Sequence, residues 1–275
     1  MSKSSVEIPP FFDKTGLEHS VRYVSGRIPS PVEIALVLGS GLGDYADTLA
    51  ERITMSAQEI PHYPISSVPG HQGAVVFGTS RNRRVLAFKG RIHLYECNDL
   101  AQVLSPVMLA AMLGAHTLIV TNAAGGVDRQ LQPGDLMLIT DQIDLTLHPM
   151  KGFSSPGAKK PTYDKELASQ AMEVARRKGL TLRRGVYAGF KGPSYETRAE
   201  VEMVYRIGGD AVGMSTVKEV ALASRLGMRV LGISCITNAA TGIGSSRLAH
   251  EDVTRVAERV KKDLASLLDD LILAA

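Results

Sequence analysis

Arg91, His93 and Tyr95 stand at alternate positions in KGRIHLYE, directly after the apolar run VLAF. If strand conformation continues through them, a guanidinium, an imidazole and a phenol share one face. An oxyanion is the natural guest of that face, because Arg grips one through two N–H groups and His can donate another. A solvated strand end is the competing reading. His93-x-x-Glu96 also has a spacing that could ligate a metal, but no H-E-x-x-H string and no further ligand cluster accompanies it, so no metal is expected. A second anion candidate is LVLGSGLGD, where a buried strand stops at Gly39-Ser40-Gly41-Leu42-Gly43. Glycines there allow a sharp turn whose N–H groups can face a ligand. The spacing puts Asp44 where a dinucleotide fingerprint needs its last glycine, and the P-loop Lys-Ser/Thr is missing, which disfavours NAD and ATP. A plain tight turn and a phosphate site both remain open for this string.

Four further strings carry polar groups at element ends. VPGHQG sets His71 between glycines in a rigid turn. In GFKGPSYETRAE, Thr197 and Glu200 have capping-box spacing, so a helix starts there and leaves Tyr195 and Glu196 just outside it, able to face a ligand. AVGMSTVKEVALA puts Ser215 at a strand-to-helix junction, where N–H groups suit an anion. SCITN ends a strand on Asn238, whose amide is costly to bury without partners.

The elements that must position these residues are legible as periodicities. IALVL (34–38), AVVF (74–77), VLAF (85–88), TLIVT (117–121), LMLIT (136–140) and RVLGIS (229–234) read as buried strands. Apolar residues at helical spacing run from Leu100 to Ala111, Leu167 to Ala175 and Val217 to Leu226. A final stripe of Val253, Val256, Val260, Leu264, Leu267, Leu268 and Leu271 describes a helix packed on the body. Strands alternating with helices imply an α/β, three-layer single domain over residues 1–275, with a mixed central sheet flanked by helices. The stretch 150–162, rich in Gly, Pro, Ser and Lys, is expected to be an exposed loop. A short echo, TNAAGG at 121–126 and TNAATG at 237–242, reads as two strand ends that both need small residues.

Composition narrows the class. With 44% hydrophobic and 21% charged residues the chain can build a sizeable core, and its net charge of +3 is scattered rather than clustered, which argues against nucleic acid or a membrane surface as partner. Cys97 and Cys235 are too few for a disulfide framework, and the N-terminus lacks an apolar targeting segment, so the expected location is cytoplasmic.

Taken in order, GSGLG, PGHQG, KGRIHLYE, TNAAGG, GPSYET, VGMSTV and SCITN resemble the trimeric purine nucleoside phosphorylase family, from about Leu36 to His250. The resemblance implies a nucleoside phosphorylase fold and a pentosyltransferase of purine salvage. It also implies a homotrimer with sites near subunit boundaries, and no cofactor, inorganic phosphate being a co-substrate. Carried over by position, phosphate falls to Ser40, His71, Arg91, His93, the backbone at Ala123 and Ser215. The ribose falls to Tyr95, Met214 and His250, and the base to Tyr195, Glu196 and Asn238. His93, Glu196 and Asn238 are the implied catalytic residues. Tyr195 replaces the Phe of some relatives and keeps an aromatic face for stacking.

The implied reaction is phosphorolysis of 6-oxopurine (deoxy)ribonucleosides such as inosine and guanosine. A carboxylate and an amide match the N1–H donor and O6 acceptor of those bases, and would mismatch adenine. Methylthioadenosine phosphorylase, of the same fold, is the nearest alternative and is disfavoured for that reason. A glycoside hydrolase would need a placed carboxylate pair that the sequence does not offer. A silent nucleoside-binding module would leave the anion cradle without a task. Two residues depart from the family pattern, Lys89 before Gly90 and Lys218 after MSTV, and both are expected to be peripheral. The segment between Gly152 and Tyr163 is also short, and Phe153 is the aromatic it could give to a neighbouring subunit.

Overall fold

The computed structural model describes residues 6–68, 73–150, 162–243 and 250–275, with side chains placed for all of these except 250–255, 257 and 258. Nine strands are present in the described residues: β1 (Ile34–Leu38), β2 (Ala50–Ser56), β3 (Ala74–Ser80), β4 (Arg83–Lys89), β5 (Thr117–Gly126), β6 (Leu136–Leu145), β7 (Leu182–Phe190), β8 (Ala211–Gly213) and β9 (Arg229–Ala239). The helices are α1 (Lys14–Ser25), α2 (Leu94–Cys97), α3 (Leu100–Met112), α4 (Lys165–Arg177), α5 (Arg198–Arg206), α6 (Val217–Arg225) and α7 (His250–Ala274). All six strands read from apolar runs are there. β2, β7, β8 and α1 carry no comparable signal: β2 is largely solvent-facing, β7 mixes Arg and Gly into its run, and β8 has only three residues.

Why the strands are continuous apolar runs is visible in β1. Ala35 and Val37 point into a core shared with α1, α3 and α6, whereas Ile34, Leu36 and Leu38 point into a second core shared with α4 and α7. A strand covered on both faces has no solvent side on which to place polar residues. The two cores are the two interfaces of a three-layer sandwich, as the alternation of elements requires. On α7, Val256, Val260, Leu264, Leu267, Leu268 and Leu271 are buried as the stripe demands, while the side chain of Val253 lies outside the described residues.

The sheet is mixed, in the order β2-β3-β4-β1-β5-β8-β7-β6-β9, and β9 also pairs with β5. That last pairing closes β5, β8, β7, β6 and β9 into a ring, a closure the apolar pattern did not announce. β4, β1, β5 and β9 are mutually parallel, so their C-terminal ends lie on one side. Ligands of open α/β sheets gather at such ends. β1 pairs with β5 at residues 117–120 and β8 pairs with it at 125–126, which leaves 121–124 without a strand partner on that edge. A crevice opens there between β1 and β8.

Leu104, on α3, is fully buried in the first core. Replacing it with Ala should cost about 2–5 kcal/mol, the range for deleting a packed Leu. Urea denaturation read by circular dichroism would show this as a lower midpoint with an unchanged slope.

Candidate active site

A cleft of about 760 Å³ occupies this crevice, and every described side chain nominated from sequence for the site, together with the Ala123 backbone, lines it. Ser40 arrives from the end of β1, where Leu42 N–H closes a turn onto the Gly39 carbonyl at 3.0 Å and Gly41 takes φ 75°. Gly39 is forced by proximity: a Cβ there would lie 2.8 Å from Asn122 Cα and 2.9 Å from the Thr121 carbonyl oxygen. Ala123 comes from the unpaired edge of β5, and Asn238 from the end of β9. Met214 and Ser215 follow β8, while Tyr195 and Glu196 sit between β7 and α5.

Arg91, His93 and Tyr95 converge on the cleft, though not as a continuing strand. β4 ends at Lys89, Gly90 turns at φ 89°, and His93 caps the short helix α2. The turn replaces the strand because Glu96, three residues on, accepts hydrogen bonds from the His93 backbone at 2.7 Å and from Nδ1 of its ring at 3.0 Å. The His93-x-x-Glu96 spacing is therefore a cap, with Tyr95 stacked on the imidazole at 4.9 Å between ring centres. Glu96 also accepts from Ser66 Oγ at 2.9 Å, Ser67 N–H at 2.8 Å and Ser67 Oγ at 2.9 Å. Burial alone would raise its pKa, but these donors outweigh burial and hold the carboxyl well below the usual range. As an anion it ties the segment before residue 69 to the histidine.

Arg91 is almost fully buried. Nη1 donates to Ser215 Oγ at 2.9 Å, Nη2 donates to the Thr121 carbonyl at 2.9 Å, and Nε lies 3.4 Å from Glu219 Oε1. The Thr121 oxygen belongs to the edge of β5 that β1 has left. At the start of α6 three N–H groups are already engaged, contrary to expectation: that of Ser215 reaches Tyr187 Oη at 3.4 Å, that of Thr216 donates to Glu219 at 2.9 Å, and that of Val217 to the Ser215 carbonyl at 2.8 Å. Ser215 can offer its hydroxyl rather than a helix N-terminus.

Glu196, also on the cleft wall, is buried, and its Oε1 has no hydrogen-bond partner among the described residues. Burial chiefly, and Glu200 nearby, raise its pKa above the ordinary 4.5. Asn238 Nδ2 donates to the Ala239 carbonyl at 3.0 Å and Oδ1 accepts from Thr237 Oγ1 at 2.9 Å, so one donor and one acceptor position of the amide remain. Thr197 and Glu200 form the expected capping box of α5. His71 and the side chain of His250 lie outside the described residues, as does Phe153.

Lys218 is not peripheral. It is buried, and Nζ donates to Asp144 Oδ2 at 2.6 Å and to the His148 carbonyl, because α6 lies against the end of β6. Lys89 stays near the surface, paired with Asp47 at 2.7 Å. Sequence reasoning missed Glu219, Thr121 and Thr237 as supports of the site. Glu219 carries the same Thr-x-x-Glu signal as Glu200, but its contact with Arg91 has no local signature. Among the described residues there is no cluster of three or more His, Cys, Asp or Glu placed to hold a metal, and no helix is long and apolar enough to cross a membrane.

A mixed sheet with a crevice at its strand ends, lined by Ser40, Arg91, His93, Ser215, Glu196 and Asn238, defines the class. The sequence signature described as the phosphorylase superfamily matches residues 33–273, and the chain belongs to that superfamily. Within it the chain is a member of the purine nucleoside phosphorylase family of pentosyltransferases. It is 42% identical to purine nucleoside phosphorylase 1 of Bacillus subtilis over 94% of this chain and 98% of that one. Against the Bos taurus purine nucleoside phosphorylase the identity is 36%, covering 87% and 88%. A crystal structure of the Schistosoma enzyme in complex with hypoxanthine superposes with a TM-score of 0.88 at 30% identity, covering 97% of this chain and 98% of that one.

The raised pKa of Glu196 gives a signed prediction. A carboxyl whose folded pKa is raised contributes stability that is present below pH 4.5 and is lost as pH rises through the raised value. Glu196→Gln should therefore raise the melting temperature of the ligand-free protein at pH 7, and that gain should shrink toward zero near pH 4. Calorimetry across this range checks it; a gain independent of pH would assign the effect to packing.

Proposed function

We propose that the cleft catalyses reversible phosphorolysis of 6-oxopurine nucleosides such as inosine and guanosine, yielding free base and pentose 1-phosphate. The observation that carries this is one cleft lined by the hydroxyls of Ser40 and Ser215, the Arg91 guanidinium, the His93 imidazole, the Asn238 carboxamide and the buried Glu196 carboxylate, whose Oε1 has no hydrogen-bond partner among the described residues. Schistosoma purine nucleoside phosphorylase solved with inosine, at a TM-score of 0.86, supports a nucleoside as the guest.

In this reading phosphate is held by Ser40, Arg91, His93, Ser215, the backbone at Ala123 and, from outside the described residues, His71. Because His93 Nδ1 is committed to Glu96, Nε2 is the nitrogen assigned to phosphate. Tyr95 and Met214, with His250, hold the sugar, and Tyr195 lies along the base. A phosphate oxygen bonds to C1′ as the C1′–N9 bond breaks, and the electron pair of that bond passes into the purine. The sugar acquires cationic character that phosphate offsets, so the remaining demand is at the base. The second N–H of Asn238 donates to O6 and Glu196 accepts N1–H, while N7 takes up the proton that monohydrogen phosphate gives up on forming the ester and then donates to the remaining lone pair of Asn238 Oδ1. Adenine reverses the polarity at both N1 and the 6-substituent, which leaves Glu196 facing an acceptor and disfavours a methylthioadenosine substrate. The reaction needs no metal or organic cofactor.

We also propose a cytoplasmic homotrimer, in keeping with the family pattern and with Leu147, a large apolar side chain that is 92% exposed. Light scattering should then give a mass three times 29.5 kDa.

Incubating the protein with inosine, with and without phosphate, tests the reaction. Hypoxanthine release that depends on phosphate is the expected result; release without phosphate would mark a hydrolase, and no release a binding module. Asn238→Asp should lower kcat/KM for inosine by about 10²–10³, as loss of one transition-state donor does, and shift the balance toward adenosine. An unchanged ratio of inosine to adenosine turnover refutes the role given to Asn238.

A further inference from the structure

We propose that Glu219 is a positioning residue for the phosphate end of the cleft, one buried carboxylate that holds a strained turn and the Arg91 guanidinium so that Ser215 and Arg91 meet the anion as a preformed pair. The inference rests on the phosphorylase reading above.

Thr216 carries the strain. Its φ of 73° and ψ of −52°, with Val217 N–H donating to the Ser215 carbonyl at 2.8 Å, describe a γ-turn of the rare positive-φ kind. A β-branched residue at positive φ is an outlier, and such conformations persist only where their surroundings over-determine them. Here the surroundings are specific. Thr216 N–H donates to Glu219 Oε2 at 2.9 Å, and Asn122 Nδ2 donates to Thr216 Oγ1 at 2.9 Å. The neighbouring Ser215 and Thr216 hydroxyls lie 3.1 Å apart.

The other oxygen of Glu219 faces Arg91. Oε1 lies 3.4 Å from Nε, both side chains are 2% exposed, and neither atom has a hydrogen-bond partner among the described residues. Arg91 in turn donates to Ser215 Oγ at 2.9 Å. Glu219, Thr216, Ser215 and Arg91 thus form a closed circuit around the anion end. A glutamate at this position of a helix start is ordinarily a surface cap, as Glu200 is at α5, where it keeps solvent contact. Glu219 is 1% exposed, and its two oxygens serve two different elements of the cleft.

If the carboxylate is neutralised, Arg91 loses its countercharge and the turn loses a constraint, so Ser215 Oγ and the guanidinium drift apart. Glu196 and Asn238 belong to other element ends and keep their places. A change at Glu219 should therefore separate phosphate from nucleoside in the kinetics. A residue that merely stabilised the fold would not separate them.

The test compares the full-length chain with Glu219→Gln and Glu219→Asp in steady-state kinetics, and in thermal unfolding with and without inorganic phosphate. Gln keeps an acceptor for Thr216 but removes the charge, whereas Asp keeps the charge but is too short to reach both partners. Each should raise the KM for phosphate by about tenfold or more, as misplacement by a fraction of an ångström does, with the KM for inosine within about twofold. The rise in melting temperature that phosphate gives the unchanged chain should shrink in both variants. Should Gln prevent folding, Asp carries the same expectation. An unchanged KM for phosphate overturns the role, and so does a parallel rise in both KM values with a lowered melting temperature. The unchanged chain separates the two claims: if it cleaves inosine without phosphate or not at all, the phosphorylase reading falls, whereas intact phosphorolysis with unaltered variants removes Glu219 alone.

Discussion

The buried guanidinium of Arg91 is the constraint from which the rest of the cleft follows. Removing such a cation from water costs several kcal/mol even after relaxation, and only a countercharge and well-placed acceptors offset that. Glu219, the Thr121 carbonyl and the Ser215 hydroxyl supply them, each from a different element. The Thr121 oxygen is available because β1 has already left that edge of β5. Ser215 is in reach because the chain between β8 and α6 accepts a strained turn. Remove Glu219 and Arg91 loses its countercharge in the interior; remove either of the other two and an N–H of the guanidinium loses its acceptor.

The sheet supplies the geometry that makes this arrangement affordable. Four parallel strands deliver their C-terminal ends to one side, and the antiparallel β8 begins where β5 runs out, so polar groups from five strand ends face each other without crossing the core. Closure of β5, β8, β7, β6 and β9 into a ring ties the element ends that carry Ser215, Glu196 and Asn238 into one framework. The surroundings of Arg91 and Glu196 differ electrostatically. Around Arg91 the charges are largely matched beforehand, whereas Glu196 is buried with no partner for its Oε1 among the described residues.

Much of this was legible one string at a time. Strands covered on both faces must be apolar throughout, so β1, β4, β5 and β9 were readable as runs, while β2, β7 and β8 were hidden by solvent-facing or short sequence. Ser40, Arg91, His93, Tyr95, Tyr195, Glu196, Ser215 and Asn238 were nominated by residue type at element ends, and the cleft gathers all of them. The manner of gathering was less legible. Arg91, His93 and Tyr95 meet through a capped turn, because the hydrogen bonds Glu96 offers to His93 outweigh continuation of the strand. Lys218, expected from sequence to be peripheral, is buried against Asp144, a partner 74 positions away in sequence.

The amino-acid sequence by itself determined the layers, the strand ends and the set of polar groups, because periodicity and composition act over a few residues and need no partner. Tertiary structure alone decided which of those groups are charged, paired or left unsatisfied. Those properties depend on burial and on countercharges brought from distant elements: Glu219 to Arg91, Asp144 to Lys218, and none to Glu196 among the described residues. Arg91, first read as one member of an oxyanion-binding face, is also the centre of a buried ion network that no local spacing could announce.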